Sequence, residues 1–304
     1  MPVQTFGSVT NGTNFDLDFL PIEQWTNPDL IDPLHEWTTL GYLPYDFGIS
    51  KFAITNEQWE KFELELGLEI TGADPGYGTD LCDNGPTKSA CPITWYEACQ
   101  FVNWLNTSTG NPACYKFNGT QGTTDYALDL WTTADAYWDY NLYRNRHTIY
   151  CIPSESEWVK AAYWNQNTPG WQEWATPDGS HPTQAGWNFR CCSQDPCRND
   201  FACSVEHGGW STDPHGQWPV DQGSVELNGT YNMMGNIWEW TETPYEGVFD
   251  LLAPRCVRGG NWNHYHRHSG TAGVNDGRRG SRASYAAGTD DHTVGFRVIR
   301  LLTV

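Results

Sequence analysis

The segments that decide the fold lie near the C-terminus, where YNMMGNIWEWTET (231–243) is followed by RCVRGGNW (255–262) and VGFRVIRLL (294–302). Trp, Ile, Val, Phe and Thr recur in these segments, and residues of these types are enriched in β-strands. Gly and polar residues separate the segments, as expected for strands connected by loops. The end of the chain is therefore predicted to form short strands.

Three segments further upstream carry helix signals. Thr55 or Asn56 is a candidate N-cap, and Thr94-x-x-Glu97 and Ser154-x-x-Glu157 each match a capping box. Apolar residues at helical spacing follow each cap: Trp59, Phe62 and Leu66; Ala98, Phe101, Val102 and Leu105; and Trp158, Ala161 and Ala162. Helices followed by strands, without alternation of the two, predict an α+β fold in one domain.

Composition excludes several classes of protein. The 304 residues carry a formal charge of −20, yet charged residues make up only 18% and aromatic residues 14%. A disordered acidic chain would be poor in aromatic residues, and nucleic-acid binding depends on clustered Lys and Arg. We therefore expect no nucleic-acid partner. No apolar run approaches the roughly 18 residues of a membrane helix, and the N-terminus shows no signal peptide, so no membrane insertion is expected. Location on a virion or a cell surface remains open.

Arginine is concentrated near the C-terminus. Eight of the twelve arginines lie between Arg255 and Arg300. Buried arginines usually form ion pairs, so one interpretation is that these side chains pair with carboxylates of the remaining chain. The other interpretation is an exposed basic surface that favours an acidic or aromatic partner.

Ten cysteines are present, and none lies in a C-x-x-C pair of the zinc-ribbon type. Four of them fall within CCSQDPCRNDFAC (191–203). Disulfides within a surface loop, reduced buried thiols and a metal cluster all remain possible interpretations.

Six segments occur in an order that resembles the formylglycine-generating enzyme family, also called the sulfatase-modifying-factor family. They are FAITNEQWEKF (52–62), PITWYEACQFVNWL (92–105), IPSESEWVKAAYW (152–164), YNMMGNIWEWTET (231–243), RCVRGGNW (255–262) and GFRVIR (295–300). The resemblance implies a C-type-lectin-like fold, loop-rich, with small antiparallel sheets and two or three helices. On this basis residues 1–45 are expected to form an irregular lead packed on the domain, and residues 46–304 the domain itself.

The family contains enzymes and non-enzymes, so the fold does not settle the function. In its oxidases, two copper-binding cysteines lie four and nine residues after the RGG motif. The matching positions here are His264 and Ser269, so no copper and no oxidase activity are expected. Sulfoxide synthases of the family carry an extra N-terminal helical domain with an iron-binding histidine motif. Here about 45 irregular residues precede the shared segments, so this activity is not expected. The alternating histidines of HYHRH (264–268) keep a metal-dependent oxidoreductase as the alternative function.

Residues 263–294 contain no Lys, Glu, Gln, Met or Trp, whereas the other 272 residues contain 52 of them. These five amino acids are the ones that cannot be reached when both adenines of an AAY codon are replaced freely. The segment therefore resembles the variable region of a diversity-generating retroelement, whose variable proteins are similar to C-type lectins. The alternative is an ordinary polar loop.

The resulting hypothesis is a non-enzymatic ligand-binding protein, used for receptor binding or display, with a protein or a glycan as its partner. The predicted ligand contacts are exposed side chains of residues 263–294: His264, Tyr265, His266, His268, Asn275, Asp276, Tyr285, Asp290, Asp291 and His292. Tyr, His and Asn suit such a face because they combine large contact area with adaptable polarity.

A structural calcium site is also implied by the resemblance. In the family, the pattern N-x-x-G-N-x-W-E holds calcium through two side chains and two carbonyls. The matching residues here are Asn232, Gly235, Ile237 and Glu239, and hard oxygen ligands suit this ion. The alternative is that Glu239 forms a salt bridge with an arginine and Asn232 caps a turn.

Overall fold

The structure is a computed structural model that describes residues 3–24, 30–31, 39–41, 43–70, 85–137, 141–182, 217–262 and 277–302. Within these ranges lie three helices, α1 (Asn56–Leu66), α2 (Trp95–Ser108) and α3 (Glu155–Tyr163). Each begins with a complete capping box, formed by Thr55, Thr94 and Ser154. The predicted helix starts are therefore confirmed, with Thr55 rather than Asn56 as the first cap.

Short strands make up most of the remaining regular structure. In chain order they are β1 (Gln4–Phe6), β2 (Phe15–Leu17), β3 (Phe19–Ile22), β4 (Leu30–Ile31), β5 (Thr39–Leu40), β6 (Phe47–Ser50), β7 (Lys116–Asn118), β8 (Ala127–Asp129), β9 (Ala136–Tyr137), β10 (Asn141–Asn145), β11 (Tyr150–Cys151), β12 (Trp164–Asn165), β13 (Gly170–Trp171), β14 (Trp238–Pro244), β15 (Arg255–Arg258), β16 (Ala283–Tyr285), β17 (Val294–Gly295) and β18 (Ile299–Leu301).

Two four-stranded sheets organise the molecule. The first has the strand order β11-β18-β6-β3 and is antiparallel throughout. The second has the order β16-β15-β14-β17, in which β14 and β17 run parallel. The strands predicted at the end of the chain supply β14, β15, β17 and β18. The other strands form two-stranded pairs, so the fold is α+β with small sheets.

The core between α1, α2 and the first sheet is aromatic. Phe101 of α2 is fully buried and stacks on Trp59 of α1, with ring centroids 5.8 Å apart. Edge contacts from Phe62 at 5.2 Å and Phe296 at 5.5 Å surround the same ring. Aromatic pairs in such geometries stabilise a core beyond the area that they bury. The helix faces that the sequence assigned to the core therefore meet here.

The N-terminal lead is more regular than the sequence predicts. Strand β3 extends the first sheet by pairing with β6, and Pro21 lies within it. Because β3 is an edge strand, a residue without an N–H group is tolerated there. Phe6 and Phe15 are buried against Tyr150 and Phe101 respectively, so this part of the lead contributes to the main core.

Steric crowding explains why glycine occupies two positions in the recognised motifs. A Cβ atom on Gly295 would lie 2.7 Å from the carbonyl oxygen of Ala90, and one on Gly259 would lie 2.9 Å from that of Met233. Gly259 also has a φ of 101°, which other residues rarely adopt. These positions, one on each side of residues 263–294, therefore require glycine.

The described cysteines include Cys99, Cys114, Cys151 and Cys256, which are buried thiols. This agrees with the interpretation of reduced thiols for these positions. The segment CCSQDPCRNDFAC lies outside the described residues, so its predicted disulfides stay a prediction. No helix in the described parts of the chain is long and apolar enough to cross a membrane.

Candidate ligand-binding face and its support

Residues 263–276 lie outside the described residues, and with them the predicted contacts His264, Tyr265, His266, His268, Asn275 and Asp276, as well as Ser269. The residues on either side are described. The backbone N–H of Trp262 donates to the carbonyl of Asn236 at 2.9 Å. On the other side, the Tyr163 hydroxyl donates to the carbonyl of Gly277 at 2.8 Å. The residues that flank 263–276 are thus both hydrogen-bonded to the described part of the domain.

A buried ion cluster fixes the second half of the segment to α3. Glu155, the first residue of α3, accepts from Arg258 Nε at 2.7 Å and from Arg282 at 2.8 Å. All three side chains are almost completely buried. Burial alone would raise the pKa of Glu155, but the two guanidinium groups lower it below its ordinary value. Arg282 is therefore part of the scaffold, although it lies within residues 263–294.

Four of the eight arginines between Arg255 and Arg300 have buried side chains, namely Arg255, Arg258, Arg282 and Arg297. Arg297 pairs with buried Glu239, and Arg278 pairs with Glu173 at the surface. Arg255 stacks between the rings of Trp95 and Tyr143, 4.2 Å from each centroid. The interpretation of ion pairing with the remaining chain is confirmed for Arg258, Arg278, Arg282 and Arg297. These four arginines are neutralised by carboxylates and therefore do not support the interpretation of an exposed basic surface.

The four predicted contacts that the structure describes differ in exposure. Tyr285 lies in β16, is half-buried, and meets the Trp240 ring edge-on at 6.2 Å. Asp290 is exposed. Asp291 is half-buried and accepts from the backbone N–H of Thr293 at 2.8 Å. The His292 ring lies 6.1 Å from the Trp262 ring. Asp290, Asp291 and His292 thus lie on the turn before β17, whereas Tyr285 is partly a core residue.

The residues predicted to bind calcium lie in one loop and the start of β14. Asn232 is buried with a φ of 57°, and its Nδ2 donates to the carbonyl of Val220 at 3.0 Å. Glu239 is fully buried, and both of its oxygens accept from Arg297, at 2.6 and 2.7 Å. Trp158 Nε1 donates to the same carboxylate at 2.6 Å. The Glu239 carboxylate thus forms a salt bridge with Arg297, as in the alternative interpretation. A calcium ion would have to share this carboxylate with the arginine. The calcium site stays a prediction.

A copper site of the family's type does not fit the thiol nearest the RGG motif. Cys256 is fully buried, and its Sγ donates to Glu155 at 3.0 Å. Burial and the neighbouring carboxylate raise the pKa of Cys256 to about 12. The side chain is therefore a thiol at neutral pH, whereas soft metals bind the thiolate.

A second buried ion cluster was not predicted from the sequence. Arg144 of β10 contacts Glu157 at 3.0 Å and Glu242 at 3.0 Å, and all three side chains are buried. The capping box predicts that Glu157 caps a helix, but it does not predict the ion pair with Arg144, which lies 13 residues earlier in the chain. For Glu242, the sequence showed only an acidic residue within the predicted strand WEWTET.

The described residues form three helices and small sheets joined by long connections, an arrangement that fits a C-type-lectin-like protein of the formylglycine-generating subtype. The sequence profile described as "Sulfatase-modifying factor enzyme 1-like domain" matches residues 25–302. The chain belongs to this family.

Two relatives of known name match in sequence. "Chaperone protein LppX" of Paenibacillus barcinonensis is 24% identical over 226 residues, which is 71% of this chain and 69% of that protein. The formylglycine-generating enzyme of Mycobacterium tuberculosis is 28% identical over 213 residues, and the match covers 66% of this chain and 64% of the enzyme.

Solved structures of similar fold extend over almost the whole chain. Treponema denticola variable protein 1 matches with a TM-score of 0.58 and 17% identity, covering 99% of both chains. CarF matches with a TM-score of 0.60 and 17% identity, covering 94% of this chain and 99% of that one. PvdO from Pseudomonas aeruginosa matches with a TM-score of 0.53 and 17% identity, covering 99% of this chain and 93% of that one. At these identities the likeness concerns the fold.

Proposed function

We propose that this protein is a non-enzymatic ligand-binding protein, used for receptor binding or display, and that a retroelement diversifies its residues 263–294. The observation that carries the proposal is the absence of Lys, Glu, Gln, Met and Trp from this segment. A polar loop has no physical reason to exclude Lys, Glu and Gln together, because these residues are common on surfaces. Replacement of adenines in AAY codons does exclude all five.

The surroundings of the segment support this use. Gly259 and Gly295 leave no room for a side chain, and Glu155 binds arginines on both sides of residues 263–276. A rigid support of this kind allows exposed residues to change without unfolding the domain. The likeness in fold to a variable protein of Treponema denticola is consistent with the proposal.

Burial among the described residues supports a division of the segment into positions that vary and positions that do not. Arg282 is buried in the ion cluster, and Ala287 and Val294 are buried in the core. Asp290 is exposed, and we assign it to the ligand face. We therefore place variation at the exposed positions of residues 263–292 and not at the buried ones. The ligand is a protein or a glycan.

Deep sequencing of this gene across a population derived from one isolate tests the proposal. We expect substitutions concentrated in codons 263–292 that contain adenine, with Gly259, Arg282 and Gly295 unchanged. Codons 56–108, which encode α1 and α2, serve as the internal control. Substitutions spread evenly over the gene, or none in the segment, would contradict the proposal.

An oxidase of the family's type is the second candidate, because of the 28% identity to the Mycobacterium tuberculosis enzyme. Its copper chemistry requires two thiolates, and the matching positions are His264 and Ser269. We therefore expect no formylglycine when the protein is incubated with copper and a cysteine-containing peptide and the product is analysed by mass spectrometry. Appreciable conversion would replace the binding proposal with the enzymatic one.

A further inference from the structure

The connection between β14 and β15 (residues 245–254, the apolar loop) exposes a group of large apolar side chains. Val248, Phe249 and Leu252 are 63%, 37% and 81% exposed. Of the nine large apolar residues that are exposed in the described parts of the chain, these three fall within five consecutive positions. Single exposed apolar residues are common on soluble proteins, whereas neighbouring ones mark sites of interaction. The apolar loop is therefore a candidate interaction surface.

Hydrogen bonds fix the conformation of the apolar loop. The Tyr143 hydroxyl donates to the carbonyl of Asp250 at 2.7 Å and accepts from the N–H of the same residue at 3.0 Å. Asp250 Oδ1 accepts from the N–H of Leu252 at 2.8 Å, and its carbonyl accepts from the N–H of Ala253 at 3.1 Å. The exposed apolar side chains thus lie on a preorganised backbone, which lowers the entropic cost of binding a partner.

The apolar loop lies directly beside the described part of residues 263–294. Arg255, which follows the loop, pairs with Tyr285 of β16. Arg282 donates to the carbonyl of Tyr245 at 3.3 Å, and its guanidinium group lies 4.4 Å from the centroid of the Tyr245 ring. The start and the end of the loop therefore both adjoin the segment.

Tyr96 of α2 connects the apolar loop to a later part of the segment. Its hydroxyl donates to the carbonyl of Leu251 at 2.8 Å. A Cβ atom on Gly288 would lie 3.7 Å from the ring of the same tyrosine. The loop and residues 282–288 thus belong to one continuous region of the surface, in which the loop is encoded outside codons 263–292.

The exposed charges of this region are negative. The charged residues of the loop are Glu246 and Asp250, and both are exposed, as is Asp290 of the segment. The two arginines that contact the loop, Arg255 and Arg282, have buried side chains. Acidic residues around an apolar group favour a basic partner and repel anionic lipid headgroups. The aliphatic side chains of the loop have no groups that hydrogen-bond to the hydroxyls of a sugar.

We propose that the apolar loop is an invariant part of the ligand-binding face, and that its partner is a protein whose surface presents apolar side chains beside Lys or Arg. The inference rests on the proposed function, because residues 282–292 form the neighbouring part of the same face. The loop supplies apolar contact area that all variants share, and the segment supplies polar contacts that differ among them. An apolar centre with a polar rim is typical of protein interfaces.

Fluorescence anisotropy of three labelled helical peptides of equal length, titrated with the full chain, tests the chemistry of the partner. One peptide consists of Leu and Lys, the second of Leu and Glu, and the third of Ser and Lys. We expect the first to bind at least about tenfold more tightly than the others, because the apolar contact and the charge attraction both contribute. Equal binding of the Ser and Lys peptide would mean charge attraction alone and overturn the proposal. Equal binding of the Leu and Glu peptide would overturn it too.

Two matched variants locate the bound peptide. Leu252→Ser removes the most exposed apolar side chain of the loop and should weaken binding of the Leu and Lys peptide about tenfold. Leu64→Ser makes the same change at a position of α1 that is 70% exposed and should not affect binding. Circular dichroism checks the folding of both, and Val248→Ser replaces Leu252→Ser if that variant is unfolded. Equal binding by the two variants would overturn the proposal.

Vesicles of phosphatidylcholine and phosphatidylserine test the other class of partner. Sedimentation of the protein with vesicles that is lost in Leu252→Ser would make the loop a membrane contact and overturn the inference. The sequencing of codons 263–292 separates this inference from the proposed function. Variation in these codons together with unchanged peptide binding in Leu252→Ser would overturn the loop alone. Binding that depends on Leu252, without variation in these codons, would support the loop and contradict the diversification.

Discussion

The two halves of the molecule are stabilised in different ways. Around α1, α2 and the first sheet, the buried side chains are rings such as Trp59, Phe62 and Phe101. Around α3 and the second sheet, equally buried positions hold Glu155 with Arg258 and Glu239 with Arg297. Apolar contacts are non-directional, whereas a buried ion pair is costly once one partner is lost. The aromatic half should therefore tolerate substitution, and the charged half should not.

Glu155→Ala should have the largest effect. It leaves Arg258 and Arg282 buried without their carboxylate, and loss of one partner of a buried pair costs about 3–5 kcal/mol of unfolding free energy. Urea unfolding followed by tryptophan fluorescence measures this loss. Glu173→Ala is the matched control, because Glu173 also pairs with an arginine but is 44% exposed. We expect Glu173→Ala to lower the unfolding free energy by at most about 1 kcal/mol. Equal effects of both variants would contradict the comparison.

Phe101→Leu tests the aromatic half. Phe101 is completely buried and contacts five other rings. Apolar replacements that roughly conserve volume usually cost less than about 1.5 kcal/mol. The same urea experiment should therefore place this variant well above Glu155→Ala in stability. A loss as large as that of Glu155→Ala would show that the rings require a unique packing too.

Lys160→Met should stabilise the protein by about 1 kcal/mol, within the usual range for stabilising substitutions. Lys160 of α3 is buried, its Nζ has no hydrogen-bond partner among the described residues, and burial lowers its pKa to about 8. Between pH 8 and 10.5 the unfolded chain keeps a proton that the native chain has lost. The unfolding free energy of the unmodified protein should therefore rise with pH in this interval.

The variant lacks this contribution, so the difference in unfolding free energy between Lys160→Met and the unmodified protein should shrink from pH 8 to pH 10. Measurement of both proteins at several pH values cancels the titration of tyrosines that they share. A difference that stays constant, or a destabilised variant, would mean that the Lys160 ammonium group has a stabilising partner.

Calcium should have the smallest effect. Because Glu239 is bound by Arg297, we expect weak affinity at the predicted site. Calcium at a concentration equal to its Kd would raise the unfolding free energy by about 0.4 kcal/mol, which corresponds to a rise in Tm of roughly 1 °C. Thermal unfolding with calcium and with a chelator measures this shift. Asn232→Gly removes a predicted ligand and tolerates the positive φ, so it should abolish the shift. Identical melting curves with calcium and chelator would remove the site.

Local signals in the sequence predicted the helices well, because Thr94–Glu97 and Ser154–Glu157 act within one turn. Tertiary pairings were harder to predict. Strand β3 contains Pro21, which argues against a strand until its edge position is known. Glu157 caps α3, but its pairing with Arg144 depends on how β10 packs against that helix. Local pattern alone does not determine such contacts.

The candidate site shows the same limit. The polar composition of residues 263–294 predicts exposed side chains. Asp290 is exposed, but composition could not distinguish it from Arg282, whose side chain is buried. Tyr285 is half-buried in β16 because its ring packs on Trp240. An amphipathic side chain suits either environment, so sequence alone could not place it.

The chain is fixed where it enters and leaves residues 263–276, through Trp262 and Gly277. With both ends anchored to one body, the entropic cost of a longer connection grows only logarithmically, by about 0.6 kcal/mol for each doubling of its length. Insertions and deletions between these two anchors should therefore be far cheaper than changes at the anchors themselves. We therefore expect that foreign peptides of different lengths can be grafted between Trp262 and Gly277.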